Sequence, residues 1–385
     1  MTDPFTPGDP VVHQIIPSLH IADASGTHTL HARDALRQAG IVSELFVEHV
    51  DAPLRTEARH IDELDAYSIP GRTMLMYQLA VGSTLVDRLV CRHEPLLVNY
   101  HNLTPASFYW QWAPDWLDAV ESGRQQLHRL ASKVVHAIAV SPFNERDLLA
   151  AGYRSTSVVP PFVDVGTSGG ASPDPAVVDG HDHCGNSAGA PHGTRWLFVG
   201  KLLPHKAVHE LVKAFAAYRG VFDPMASLTI VGGHPVPAYT KAVREYVAAL
   251  GLADAVHLPG TVDDRVLRAQ YRQADVFVCL SDHEGFCFPL LEAMHHDVPV
   301  VCADAGALPD TAGDAALVLR DRSAGAVATA VHRVVDDRAL RARLTTAGQA
   351  RVREFDLQRT AERFVDVIRQ VWRRLGASRP VSRVP

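Results

Sequence analysis

Ser281-Asp-His-Glu-Gly-Phe-Cys-Phe-Pro-Leu-Leu-Glu-Ala-Met294 is the stretch whose reading decides the fold. An apolar run, Asp275-Val-Phe-Val-Cys-Leu280, leads into it with the pattern of a buried strand, and a helix-compatible segment, Leu290 to His296, leads out. Glu284 and Glu292 stand eight positions apart, with Gly285 directly after the first and Pro289 between them. A strand ending in a Gly-containing turn that opens a helix is where α/β proteins gather backbone N–H groups around an anion. Carboxylates on both sides of such a turn suit hydroxyl groups flanking that anion. A nucleotide-sugar has this layout, a diphosphate between two polyols.

Working outward, 385 residues exceed one comfortable core and predict about two domains. A hydrophobic content of 47% with 21% charged residues describes a globular chain, and a net charge of −6 gives no general attraction to nucleic acid. The five cysteines are an odd number without C-x-x-C spacing, and Cys279 and Cys302 lie in apolar runs as small buried hydrophobes. No signal pattern and no apolar run of membrane-spanning length is visible, so a cytoplasmic protein with at most peripheral membrane contact is expected.

Strand and helix signals alternate along the N-terminal part. Strands are expected at 11–16, 41–47, 94–100 and 134–140, and helices at 27–39, 77–91, 115–131 and 143–151. The alternation resumes at 196–200 and continues through strands at 228–231, 256–258, 275–280 and 298–302, with helices at 208–218, 239–250 and 264–272. Two doubly wound parallel-sheet domains follow from this. We expect the first over 1–165 and the second over 194–357, joined by a Gly/Ser/Pro-rich linker at 166–193. The linker's His181, His183 and Cys184 are not expected to hold a metal. Ala361, Phe364, Val365, Ile368, Val371, Trp372 and Leu375 follow helical spacing, so 358–376 reads as a packed amphipathic helix before a tail at 377–385.

Val199-Gly-Lys-Leu-Leu-Pro-His-Lys206 is the second informative stretch. A strand ends at Gly200, and Lys201 and Lys206 flank a tight loop before a helix. The chain holds 32 Arg and five Lys, so two lysines on one loop form a deliberate pair. Fixed cations there stabilise a departing diphosphate without a metal ion, and no Asp-x-Asp motif is present. Gly26, between the first strand and first helix, would either let backbone approach a phosphate at a helix N-terminus or form a plain tight turn. Asn99-Tyr-His-Asn-Leu-Thr-Pro105 closes an N-domain strand and puts His101 at its carboxyl end.

The string H-E-G-F-x-x-P-L-L-E-A-M resembles the Glu-x7-Glu donor-site signature of retaining glycosyltransferase family 4. The lysine loop is similar to that family's G-R-L-x-x-x-K-G, with Lys201 in place of Arg and Ala207 in place of the last Gly. The resemblance extends to Ser141-Pro-Phe-Asn144, Gly260-Thr-Val-Asp263 and Ala307–Asp314, and covers roughly 11–160 and 195–375, with the linker and the region around Asp51–Arg72 unmatched. It implies the GT-B fold, two doubly wound Rossmann-like domains facing across a cleft, with the terminal helix at 358–376 packing back on the N-terminal, acceptor-binding domain. It also implies transfer of a hexosyl group from a nucleoside diphosphate sugar, a UDP-sugar most often, to an acceptor hydroxyl with retention. No metal or other cofactor is implied. The acceptor would be a small molecule, glycan or glycolipid.

By the same resemblance His101 contacts the donor sugar, Glu284 its hydroxyls and Glu292 the ribose. Gly200, Gly285, Phe286, Cys287, Phe288 and Leu291 surround sugar and phosphate, and the backbone at Val262 holds the base. A GT-B epimerase or phosphorylase, or a catalytically silent partner subunit, would share the fold. The last of these predicts loss of polar site groups, whereas Glu284, Glu292, Lys201, Lys206 and His101 are all present.

Overall fold

The first buried strand signal becomes β1 (Val11–Leu19), an inner strand of a seven-stranded sheet, next to its central strand. The computed structural model describes residues 10–21, 23–162 and 193–377. They fall into two units, one of residues up to 162 with His283–Phe286 and the chain from Glu354 onward, the other of residues from 193 to Asp282 and from Cys287 to Arg353. The linker expected at 166–193 and its His181, His183 and Cys184 lie outside the described residues, apart from Gly193.

In the first unit β2 (Leu45–Val50), β3 (Arg59–His60), β4 (Thr73–Leu79), β5 (Leu96–Tyr100), β6 (Val134–Ala139) and β7 (Thr156–Val158) join β1 in the order β3-β2-β1-β4-β5-β6-β7, every pair parallel. Helices α1 (Ala24–Gln38), α2 (Leu64–Tyr67), α3 (Leu85–Val90), α4 (Leu117–Leu130) and α5 (Pro142–Ala150) connect them.

The expected helix at 77–91 is a correction. Its first residues belong to β4, and only Leu85–Val90 is helical. Leu75, Tyr77 and Leu79 enter the core on one face of the sheet, and Met74 and Met76 enter the core on the other. A central parallel strand buried on both faces has no polar side to reveal a period of two. Its Met and Leu residues then read as helix formers. The segment 51–72, which matched nothing in the resemblance, builds the edge strand β3 and α2.

The terminal helix Leu357–Ala377 also lies in the first unit. Phe364, Val365, Ile368 and Val371 share a core with Ala32, Ala35 and Leu36 of α1, and Arg369 Nη2 donates to Ala39 O at 2.9 Å. Each such buried side chain contributes about 1.5–3 kcal/mol relative to exposure. No described helix is long and apolar enough to cross a membrane.

The second unit holds β8 (Arg195–Val199), β9 (Ser227–Val231), β10 (Val256–Gly260), β11 (Val276–Cys279), β12 (Val300–Ala303) and β13 (Ala316–Leu319), parallel in the order β10-β9-β8-β11-β12-β13. Its helices are α6 (Val208–Val221), α7 (Pro237–Ala249), α8 (Asp264–Gln273), α9 (Phe288–His295), α10 (Leu308–Ala312), α11 (Ala324–Asp336) and α12 (Arg338–Glu354). β13, α11 and α12 carried no sequence expectation. α12 steadies α9: Gly348 sits on Met294, and Gln349 Nε2 donates to Met294 O at 3.1 Å and Asp297 Oδ1 at 2.9 Å.

Both sheets reverse strand order once, between β1 and β4 in the first and between β8 and β11 in the second. Open α/β sheets bind ligands outside the carboxyl ends of their strands at such points.

Candidate active site

The two motifs that sequence spacing singled out follow β8 and β11, the strands flanking the second switch point. Lys201 is exposed and Lys206 half-buried on the loop after β8. Backbone bonds fix that loop: Gly200 N donates to Val231 O at 2.8 Å, Leu202 N to Gly233 O at 2.8 Å and Ala207 N to Pro204 O at 3.0 Å. Asp282 N, just after β11, donates to His205 O at 2.8 Å, tying the lysine loop to the chain that leads into the glutamate motif. Gly232 permits this packing, since a Cβ there would lie 2.1 Å from Gly200 O.

α6 starts from Ala207 in the left-handed conformation, φ 47° and ψ 39°. This is the position where the resembling family carries glycine, and the backbone supplies the reason. α9 starts from Cys287, also left-handed at φ 80°. Neither residue has a side-chain oxygen, so neither helix is capped by the side chain of its own N-cap residue. The Tyr239 hydroxyl accepts from Val208 and His209 N–H at the start of α6.

Glu292, on α9, accepts from the hydroxyl of Tyr271 on α8 at 2.6 Å. Burial raises its pKa, the Tyr271 hydrogen bond opposes that shift, and Asp264 adds to it. Phe288 is half-buried and Leu291 fully buried on the same helix. Val262 is half-buried directly before Asp263, which caps α8 through a 2.8 Å bond from Val266 N.

Three residues here escaped sequence reasoning. Arg322 Nη1 donates to Leu280 O at 3.3 Å and pairs with Asp282, fixing the end of β11 from a loop forty positions away. Tyr271 was hidden because a tyrosine in an amphipathic helix reads as core. His234 Nε2 is enclosed without a hydrogen-bond partner among the described residues, the kind of group a bound ligand satisfies.

In the first unit His101 follows β5, and its Nε2 lies 2.7 Å from Gln78 Oε1 on β4. Gln78 Nε2 donates to Gln14 Oε1 on β1 at 2.7 Å, and Gln14 Nε2 donates to Thr29 O at 3.3 Å. A backbone carbonyl only accepts, so both amides are oriented from Thr29 outward and His101 carries its proton on Nε2. Burial pushes the His101 ring down to about 4, with Asp23 opposing, so it is neutral near pH 7. His28 packs edge-on at 4.9 Å. Its Nδ1 accepts from Phe162 N, leaving the proton on Nε2, which faces the Asn99 side-chain amide at 2.6 Å. Asn99 Oδ1 has no partner as placed, so the amide belongs with its oxygen toward His28.

His283–Phe286 join this unit. His283 Nε2 donates to Asn102 Oδ1 at 3.0 Å, and Phe286 packs on Phe355 with ring centroids 5.3 Å apart. Glu284 is buried. Gly285 is demanded by close approach, since a Cβ would stand 2.5 Å from Asn102 Cβ and 2.9 Å from His101 O. The structure thus brings together His101, Asn102 and Gly285. Gly26 differs from expectation: its N–H is taken by the Asp23 carboxylate at 3.0 Å, and a Cβ there would lie 2.9 Å from Leu19 Cδ1. This glycine lets α1 pack against β1, and Asp23 already occupies the helix start.

Residues 191–351 match the family model described as glycosyl transferases group 1. A D-inositol 3-phosphate glycosyltransferase from Salinispora tropica is 33% identical over 180 residues, 44% of this chain and 37% of that protein. A GDP-mannose-dependent alpha-(1-6)-phosphatidylinositol monomannoside mannosyltransferase from Mycobacterium tuberculosis is 34% identical over 160 residues, 39% of this chain and 40% of that protein. The chain thus spans well under half the length of these relatives. Sucrose-phosphate synthase from Thermosynechococcus elongatus superposes with a TM-score of 0.71 at 18% identity, covering 96% of this chain and 100% of that one. That likeness establishes the GT-B fold.

Proposed function

We propose that this protein is a retaining, family 4-like glycosyltransferase that moves a hexosyl group from a nucleoside diphosphate sugar to an acceptor hydroxyl without a metal ion. The observation that carries the reading is the pair of loops at the second switch point, one with Lys201 and Lys206, the other leading to Glu284 and Glu292, tied by the Asp282–His205 bond. The matches to glycosyl transferases group 1 and to named glycosyltransferases support it.

In this reading the diphosphate lies against Lys201, Lys206 and the backbone of Gly200, with Glu292 on the ribose and the backbone at Val262 against the base. Glu284 and the backbone of Gly285, Phe286 and Cys287 take the hexose, and His101 accepts from it through Nδ1. The sugar–phosphate bond breaks as the acceptor oxygen bonds to the same face of the sugar. The acceptor proton passes to a phosphate oxygen, and both lysines stabilise the charge left on the diphosphate. No protein nucleophile is assigned. The family favours UDP-sugars, whereas one relative is named as GDP-mannose-dependent.

Thermal unfolding with UDP, GDP, ADP and dTDP tests the donor site, since a ligand at 100 times its dissociation constant adds about 2.7 kcal/mol. One of them is expected to raise the Tm. Acceptor-dependent release of that nucleotide from its sugar conjugate then identifies transfer. A nucleotide-free thermal profile with all four would overturn the proposal.

A further inference from the structure

Three of the five tryptophans in the chain fall within seven positions, Trp110, Trp112 and Trp116, in the loop Ser107-Phe-Tyr-Trp-Gln-Trp-Ala-Pro-Asp-Trp116 that leads from the His101 strand end to α4. Trp110 is 70% exposed and Trp116 37%, whereas Tyr109 beneath them is 5% exposed and packs on Trp116 at 5.5 Å. Scattered surface hydrophobes need no explanation, but indoles gathered on one loop mark a contact surface.

The loop is built rather than slack. Tyr109 N donates to Ala106 O at 2.8 Å, Trp112 N and Ala113 N to Tyr109 O at 2.9 and 2.7 Å, and Trp116 N to Ala113 O at 3.0 Å. Arg124 of α4 holds its base, donating to Leu103 O at 2.9 Å and Asp147 Oδ2 at 3.1 Å. A fixed loop loses little entropy when a ligand settles on it.

Charge selects the ligand. Residues 102–123 contain no Lys or Arg, while Asp115, Asp118 and Glu121 are all exposed. An anionic membrane surface or a nucleic acid needs basic groups beside the aromatics. Exposed indoles on a segment whose charged residues are the exposed Asp115, Asp118 and Glu121 suit a neutral polyol ring, whose C–H edge lies on the electron-rich indole face while its hydroxyls can donate to a carboxylate. We propose that the Trp110–Trp116 loop is a stacking platform for the ring of a neutral saccharide, the acceptor of the reaction proposed above. This deepens that reading and rests on it.

The test titrates the full chain with cellobiose, maltose and mannobiose, reading tryptophan fluorescence and saturation-transfer NMR, with phosphatidylcholine–phosphatidylglycerol vesicles as a separate arm. At least one disaccharide is expected to saturate. Trp110→Ala should weaken it roughly tenfold, Trp110→Phe much less, and the Trp110→Ala/Trp116→Ala pair should remove it. Thermal unfolding of each variant reports folding, and the nucleotide-induced Tm rise in the same samples reports the donor site. Saccharide saturation without any nucleotide response leaves the platform standing and sinks the transferase reading. Absence of saturation by every disaccharide, equal affinity in the folded double variant, or vesicle binding that Trp110→Ala abolishes overturns the platform.

Discussion

The two sheets share one winding plan and differ in what stands at their switch points. In the first unit the strands on either side, β1 and β4, contribute Gln14 and Gln78, which bond to each other, to Thr29 O and to His101. Its α1 is capped by the Asp23 carboxylate and its α5 by the Ser141 hydroxyl. The crevice is filled by the protein's own polar groups, and its helix dipoles already have partners. In the second unit α6 and α9 start from left-handed residues whose own side chains do not cap them, the first N–H groups of α6 donate to the Tyr239 hydroxyl, and two lysines edge the loop. The same topology thus carries a self-filled crevice on one side and, in the reading proposed above, the diphosphate site on the other. A doubly wound sheet offers a place for a ligand, and side chains decide whether that place is taken.

The largest expected effect comes from attacking the receptive half. Lys206→Ala should lower kcat for sugar transfer by about a hundredfold or more, the size seen when one fixed donor to developing charge is lost. Glu292→Ala should instead weaken nucleotide binding, read as loss of the thermal shift. If both variants transfer sugar normally, the contrast between the halves has no chemical meaning.

The supporting half breaks differently. Gln78→Leu leaves the His101 N–H and Gln14 Oε1 unpaired, at about 1–3 kcal/mol. The ring should then lose its single tautomer, visible as averaging of the two ring-nitrogen NMR resonances that the intact chain keeps distinct. A tenfold fall in kcat is expected alongside. Gln78→Glu keeps an acceptor but adds charge, so the His101 pKa should rise above its value of about 4. The sign follows from linkage: a histidine lowered on folding contributes stability in full above its ordinary 6.5, and that contribution is lost as pH falls from 6.5 through about 4. Gln78→Glu should shift that acid loss to lower stability cost, and a histidine-region titration unchanged from the wild type would sink the relay.

What was legible in the sequence follows the same division. The lysine loop and the glutamate motif were readable because charged residues at strand ends stand out locally, and only the 2.8 Å bond from Asp282 to His205 was needed to join them. The supporting half was opaque. Gln14 and Gln78 lie sixty-four positions apart and meet only because β1 pairs with β4, a strand whose two buried faces gave no alternation. Arg322 was equally invisible, its partner Asp282 being forty positions away. Short-range pattern reveals motifs, whereas non-local pairing must be seen.

Gly285→Ala gives a smaller and purely steric test. The added Cβ would lie 2.5 Å from Asn102 Cβ and 2.9 Å from His101 O, both on a constrained segment where Asn102 holds φ 97°. Overpacking of this kind costs about 1–3 kcal/mol. The Tm should fall by roughly 2–4 °C per kcal/mol for a unit of this size. An unchanged Tm would mean that Gly285 does not pack as described.

The smallest effect separates backbone strain from charge at the receptive site. Ala207 holds φ 47°, ψ 39°, a conformation that costs an L-residue about 1–2 kcal/mol and that glycine adopts freely. Glycine loses more freedom on folding, about 0.5–1 kcal/mol, which offsets part of the gain. Ala207→Gly should therefore stabilise the protein by a few tenths to about 1 kcal/mol, read as a higher midpoint in urea at unchanged slope. Lys201 and Lys206 keep their backbone frame, fixed by bonds from Gly200 N, Leu202 N and Lys206 N, so nucleotide affinity should stay within about twofold. A stabilised protein that no longer binds nucleotide would show that the strained turn itself, and not the lysine charge, shapes the site.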